Sequence, residues 1–153
     1  MRAYQDLRIS EGLQKEYKDI VVNSLQHCIN NKGFLLHAWI IMSNHVHLIG
    51  SAKPGFNLSD ILRDLKKYTS KKIFNAINAN LKESRKEWLL DMMEKAGNEN
   101  SNNCGFQLWQ QHNNPVALTS ERITHQKLNY LHNNPVTAGF VEKPEDWLYS
   151  SAK

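Results

Sequence analysis

The sequence predicts an α+β domain, a small antiparallel sheet covered by helices. Two short apolar runs, FLLHAWIIM and HVHLIGS, are parted only by the polar Ser43-Asn44 and read as the strands of a hairpin. Longer segments on either side repeat their apolar residues at helical spacing. No linker or composition shift divides the 153 residues, so a single domain spanning 1–153 is expected.

In chain order, the first fifteen residues carry no clear period. Leu13, Tyr17, Ile20, Val21, Leu25, Cys28 and Ile29 then mark one helix face, with Gly33 placed to close it. The hairpin follows, and Pro54-Gly55 makes a turn. Asn57 is placed to cap a second helix, with Asp60 at its third position. The stripe of that helix is Leu58, Ile61, Leu62, Leu65, Thr69, Ile73, Ala76 and Ile77. Ser84 and Glu87 have the spacing of a capping box. The helix they predict buries Trp88, Leu89, Met92, Met93 and Ala96 and ends at Gly97. NENSNN at 98–103 reads as a polar loop, and FQLWQQ at 106–111 as a short strand. Thr119 or Ser120 caps a last helix carrying Ile123, Leu128, Tyr130 and Leu131. It is expected to end near Asn133, because the residue before Pro135 disfavours helix. The pentapeptide His-Asn-Asn-Pro-Val occurs at 112–116 and again at 132–136, and both copies read as turns that end regular structure.

Hydrophobic residues make up 41% and charged residues 22% of the chain, enough for a core without disulfides. Cys28 and Cys104 form no CxxC pair, which argues against a zinc knuckle and for a reducing, cytoplasmic setting. No apolar run reaches the roughly 20 residues of a membrane span, and the N-terminus lacks a signal-peptide core. The net charge of +4 is compatible with nucleic acid without being diagnostic of it.

The most informative segment is Met42-Ser43-Asn44-His45-Val46-His47-Leu48-Ile49. On a strand His45 and His47 project from one face, while Val46 and Leu48 project from the other into the core. Two imidazoles one pleat apart suit a shared divalent metal. Mn, Zn and Ni all accept such nitrogen ligands, and two protein ligands leave open positions for water or phosphate oxygens. The alternative is two polar residues on a solvent face.

AWIIMSNHVHLIG, LWQQ, LNYLHNNPVTAGFVEKPEDWLYSS and the basic helix between them resemble the single-tyrosine HUH transposases of insertion sequences. The similarity lies in the IS200-like family and runs nearest to its REP-associated tyrosine transposase branch, from about Glu16 to the C-terminus. The resemblance implies a ferredoxin-like sheet and a Mg²⁺ or Mn²⁺ ion held by His45 and His47. It also implies a tyrosine that attacks a DNA phosphate, nicking and rejoining single-stranded DNA beside a hairpin through a 5′-phosphotyrosine. The metal in such a site neutralises and orients the scissile phosphate, and the covalent link conserves the bond for rejoining. DNA partners, a homodimer and association with the nucleoid are implied in the same way.

Two departures stand out. The family's WQxxY segment reads Trp109-Gln110-Gln111-His112-Asn113, so an amide occupies the aligned tyrosine position. Of the five tyrosines, Tyr4, Tyr17, Tyr68, Tyr130 and Tyr149, only Tyr68 is retained as a nucleophile. The lysines around it would stabilise a phenolate; the alternative is a boundary residue with a packed ring and a wet hydroxyl. Gln110, Gln111 and His112 are open as a third metal ligand or as base contacts, and none matches the family's third-ligand position cleanly. The second departure is the start, where Tyr4, Leu7 and Ile9 alternate raggedly. The central first strand of the family is therefore expected to be missing or replaced.

Arg63, Lys66, Lys67, Lys71 and Lys72 flank the helical stripe and are candidates for DNA phosphate contacts. Trp109 is a candidate to stack on unpaired bases. Three readings stay open at this point: a transposase, a hairpin-binding module of the same fold that has lost strand transfer, and a metal-dependent hydrolase. No HExxH segment supports the third.

Overall fold

The computed structural model describes residues 1–9, 12–100 and 105–153. Strands β1 (Ala3–Arg8), β2 (Phe34–Ile41), β3 (His45–Ala52) and β4 (Val116–Ala117) form one antiparallel sheet in the order β2-β3-β1-β4. Helices α1 (Lys15–Asn31), α2 (Leu58–Ala79) and α3 (Lys86–Asn98) cover one face, and α4 (Glu121–Thr137) covers the other. The α+β expectation holds, and the strand order is that of the ferredoxin-like sheet.

The expectation of a missing first strand is corrected. β1 lies at the centre of the sheet and pairs with β3 from Ala3 opposite Gly50 to Arg8 opposite His45. Its alternation is hidden because Tyr4, Gln5, Asp6 and Leu7 are all buried. A strand covered on both faces has no solvent side to mark with polar residues. Leu7 joins the core under α1 and α2, while Tyr4 joins the smaller core under α4.

The first two helices follow their apolar stripes. α1 buries Tyr17, Val21, Leu25 and Cys28, and Gly33 follows its end with φ +69°, a left-handed conformation that favours glycine. The Asn57 side chain accepts from the Asp60 N–H at 3.2 Å at the start of α2. α2 sets Ile61, Leu62, Leu65 and Ile73 into one core with Val46 and Leu48 of β3.

Other elements differ from expectation. The Ser84–Glu87 capping box does not form, since α3 begins at Lys86 without a side-chain cap. Glu83 organises that entry instead, accepting from the Arg85 N–H at 3.2 Å and from the Tyr17 hydroxyl at 3.1 Å. Gly97 lies inside α3, where the Phe106 backbone presses against it. FQLWQQ is not a strand. It touches β1 through a bridge between Ile9 and Trp109, and the Gln110 N–H donates to the Arg8 carbonyl at 2.7 Å. Asn114, at φ +43°, and Pro115 interrupt the pairing before β4 resumes it. Asn98 ends α3, and Cys104 and residues 101–103 of the expected loop lie outside the described residues.

α4 passes Asn133 and runs through Pro135 to Thr137. Ser120 caps its start, accepting from the Ile123 N–H at 3.2 Å. Its end is closed by a Schellman motif, with Gly139 at φ +81° and bonds from the Phe140 N–H to the Pro135 carbonyl (2.9 Å) and from the Gly139 N–H to the Val136 carbonyl (3.0 Å). These bonds and the burial of Pro135 outweigh the local preference against helix before proline. Beyond α4 the C-terminal segment returns to the outer edge of β2. There the Ile41 N–H donates to the Tyr149 carbonyl (2.8 Å) and the Ser151 N–H to the Trp39 carbonyl (2.9 Å).

Leu131 anchors α4 on the sheet and is fully buried among Tyr4, Ile40 and Ile49. Leu131→Ala is expected to cost about 2–5 kcal/mol of stability, read as a lower urea midpoint at unchanged slope.

Candidate metal centre and adjoining cleft

β1 and β3 build the site by register. Asp6 lies opposite His47 and Arg8 opposite His45, and directly paired residues share a sheet face. Tyr4, Asp6, Arg8, His45 and His47 therefore all point toward α4. The two imidazoles stand 4.7 Å apart between centroids, at 63°. The sequence expectation that they share one face is met.

His47 is 0% exposed. Its Nδ1 lies 2.7 Å from the Tyr4 hydroxyl and 3.7 Å from Asp6 Oδ1. Its Nε2 lies 3.2 Å from Asn134 Nδ2. His45 is engaged in a similar way, with Nδ1 2.6 Å from Asn44 Oδ1 and Nε2 3.2 Å from Asn134 Oδ1. A single amide of α4 thus meets the Nε2 atoms of both rings.

Burial sets the protonation of these groups. It pushes His47 down to about 4, with repulsion from His45 adding to the effect and the Asp6 carboxylate opposing it. Burial also lowers His45, against a rise from its bond to Asn134. Both rings are neutral at pH 7, the form that offers a lone pair to a metal. Burial, and then Asp6, raise Tyr4 well above the ordinary phenol range, so Tyr4 stays a phenol and orients His47.

Among the described residues no three His, Cys, Asp or Glu side chains form a metal-binding group. The residues do fit a divalent ion held openly. Two neutral imidazoles face the two ends of one amide, and Asp6 Oδ1, buried without a hydrogen-bond partner among the described residues, stands behind His47. A carboxylate behind a histidine is the usual support of a metal ligand. Beside the pair lies a cleft of about 530 Å³ whose wall includes Arg8, His45, Asn129, Tyr130 and Asn134. Tyr130 is 52% exposed, and its ring centroid lies 5.6 Å from that of His47.

The other expected site residues lie elsewhere. Tyr68 is 50% exposed on α2, its ring stacked against His27 at 6.4 Å and beneath the Lys72 ammonium at 5.7 Å. α2 packs on the sheet face opposite the histidines, so Tyr68 and the pair of its own chain are not brought together. Lys67, Lys71 and Lys72 are exposed on the same helix, whereas Arg63 is paired with Asp60 (2.9 Å) and Asp64 (3.2 Å). Lys66 turns inward, donating to the Gln110 carbonyl (2.8 Å) and to Asn113 Oδ1 (2.7 Å). Trp109 is corrected as a stacking surface. It is 5% exposed in the core, with its Nε1 donating to Thr69 Oγ1 at 2.8 Å. An indole inside a run of apolar residues is buried by the same hydrophobic drive that forms the core.

Sequence reasoning missed Tyr4, Asp6, Arg8, Tyr130 and Asn134. The signal for the first three was their spacing, every second residue on a strand. That for Asn134 was the second copy of the pentapeptide.

An unfolded histidine binds its proton near pH 6.5, whereas folded His47 does so only near 4. Between those values the unfolded state holds the extra proton, so stability falls as pH drops through this window. The wild type is expected to lose thermal stability relative to His47→Gln between pH 6.5 and 4.5, measured as the difference in Tm at each pH.

The family described as "Transposase IS200 like" matches residues 8–112. Among solved structures, the chain is similar to a REP-associated tyrosine transposase bound to a REP hairpin, with a TM-score of 0.70 and 17% identity over 99% of this chain and 76% of that one. It is also similar to a crystallised Deinococcus radiodurans R1 protein assigned as a transposase, with a TM-score of 0.50 and 20% identity over 86% of this chain and 88% of that one. At such identities the likeness is one of fold. No curated protein matches the chain. The family match spans more than two-thirds of the 153 residues, and the chain belongs to the IS200-like transposase family.

Proposed function

We propose that the 153 residues act as one domain on single-stranded DNA bearing a hairpin, nicking and rejoining it with Mg²⁺ or Mn²⁺ held by His45 and His47. The observation that carries this reading is the convergence of the two neutral imidazoles on one amide at the wall of an open cleft. The hairpin bound to the similar solved structure supports the choice of ligand. No helix among the described residues is long and apolar enough to cross a membrane, which accords with work at the nucleoid.

When bound, the ion would neutralise and orient the scissile phosphate. The chain's own groups divide the remaining work. The Tyr4 hydroxyl fixes the orientation of His47, the Asp6 carboxylate stands 3.7 Å from the same ring, and Arg8, ion-paired with Asp6 at 2.9 Å, lines the cleft. A tyrosine oxygen attacks phosphorus, the bond to the 3′ oxygen breaks, that oxygen takes a proton, and the 5′ end remains on the tyrosine. Tyr130 stands on the cleft wall of its own chain. Tyr68 serves as nucleophile only by reaching the histidines of a second copy, which requires a homodimer.

A specific observation favours a second reading, a hairpin-binding module without strand transfer. The resemblance to the family's WQxxY segment puts Asn113 where a tyrosine is expected, and the Asn113 side chain is held by Lys66 at 2.7 Å. Denaturing gels of protein mixed with hairpin-bearing single-stranded DNA and Mn²⁺ separate the readings. The transposase reading expects a protein–DNA adduct that disappears in Tyr130→Phe or in Tyr68→Phe, depending on which residue attacks. A native shift without an adduct supports the binding module, and cleaved DNA without an adduct means hydrolysis.

Lys67, Lys71 and Lys72 present an exposed basic face on α2 suited to the phosphates of the hairpin. Replacing all three with Gln is expected to flatten the plot of log affinity against log salt by about 0.7–0.9 for each phosphate that is no longer neutralised. An unchanged slope removes α2 from the DNA surface.

A further inference from the structure

Away from the histidines, the α4 wall of the cleft carries amides that the proposed nicking and rejoining does not use. Gln126, Asn129 and Asn133 line it at spacings of three and four residues, so they share one helix face. All three are exposed. Among the described residues neither the Gln126 nor the Asn129 side chain has a hydrogen-bond partner. Asn133 commits a single donor, to the Asn129 backbone carbonyl at 3.0 Å. Leu128 and Leu131 pack toward the sheet on the other side of α4, which turns Asn129 to the open cleft.

The charge of the wall argues against phosphate as the occupant of this part of the cleft. Among its described lining residues Arg8 alone is permanently charged, and Asp6 pairs with it at 2.9 Å. The exposed lysines suited to phosphates, Lys67, Lys71 and Lys72, lie on the helix that packs against the opposite sheet face. A volume of about 530 Å³ is that of a small-ligand site. A neutral wall with free amide donors and acceptors suits a flat, neutral group that offers an acceptor and a donor in return. An unpaired nucleobase is such a group.

We infer that Asn129, between Gln126 and Asn133, reads an adenine base in the single strand beside the hairpin. The inference deepens the reading of the cleft as a DNA site and rests on it, but it needs no bound ion. A side-chain amide meets adenine at two points, its carbonyl accepting from the N6 amino group and its NH₂ donating to N7. Guanine presents acceptors at both places, cytosine only a donor and thymine only an acceptor. Each of these leaves one end of the amide unmet, and an unmet polar group is what makes such contacts selective. Because His45 lines the same cleft, the base that is read belongs to a nucleotide close to the scissile phosphate.

The test is selection of bound sequences by the full chain in EDTA, from a pool of DNA hairpins with randomised single-stranded flanks, with folding checked by Tm. Wild-type protein is expected to enrich adenine at one flanking position by about five- to 150-fold over the other bases. Asn129→Ala is expected to flatten that position and leave the preferences at other positions in place. Asn129→Asp, whose carboxylate accepts from the cytosine N4 amino group and cannot donate to N7, is expected to move the preference from adenine to cytosine. An adenine position that persists in Asn129→Ala overturns the inference. A wild-type profile without adenine preference, in a protein that still forms the Mn²⁺-dependent adduct, overturns the base-reading role alone. Absence of any hairpin binding by the wild type overturns the DNA reading and this inference with it. An adenine position that depends on Asn129 in a chain that forms no adduct supports the inference within the hairpin-binding module. If Asn129→Ala does not fold, Asn129→Asp decides: loss of the adenine preference supports the assignment, and its retention overturns it.

Discussion

His47 is wholly enclosed, and enclosure of an imidazole imposes two conditions: the ring must be neutral and its polar atoms must be met. Much of the architecture around it follows from these conditions. β1 must be central, because it brings Tyr4 to Nδ1 and Asp6 alongside. α4 must lie across the sheet, because only there does Asn134 meet Nε2. The cleft, Tyr130 and Arg8 are then positioned by the same two elements. A site of this kind is placed by sheet register and one helix, both of which are stiffer than a loop.

The parts of this arrangement that could be read from the sequence were those with a single buried face. α1 and α2 announced themselves by period and cap, and the β2–β3 hairpin by its polar break. The shared face of His45 and His47 followed from strand geometry alone. β1 could not be read in this way, because both its faces are covered and it buries Gln5 and Asp6 along with Leu7. The end of α4 was hidden because a cap and a buried proline, both tertiary effects, overrode a local rule. Trp109 and Tyr68 show the limit for single residues. Composition marks them as able to meet DNA, but only packing decides that one is sealed in the core and the other faces away from the histidines.

The repeated pentapeptide makes the same point within one chain. At 112–116 it is irregular, with Asn114 left-handed and Asn113 tied to Lys66. At 132–136 it is helical, with His132 bonded to Ser151 at 2.9 Å and Asn134 at the histidines. Identical residues take different conformations because the second copy sits over an apolar sheet face and the first runs along a strand edge. Local sequence here supplies a range of conformations, and the surroundings select among them.

The C-terminal segment along β2 has a wider consequence. Tyr149 and Ser151 occupy backbone groups that an exposed edge strand would otherwise offer to another chain. On that side the end of β2 from Trp39 to Ile41 is covered by the chain's own C-terminal segment. The same segment is tied through His132 to the helix bearing Asn134. A force that peeled the segment from the sheet would be transmitted to the cleft, making the edge cover also a mechanical tether for the helix that faces the histidine pair.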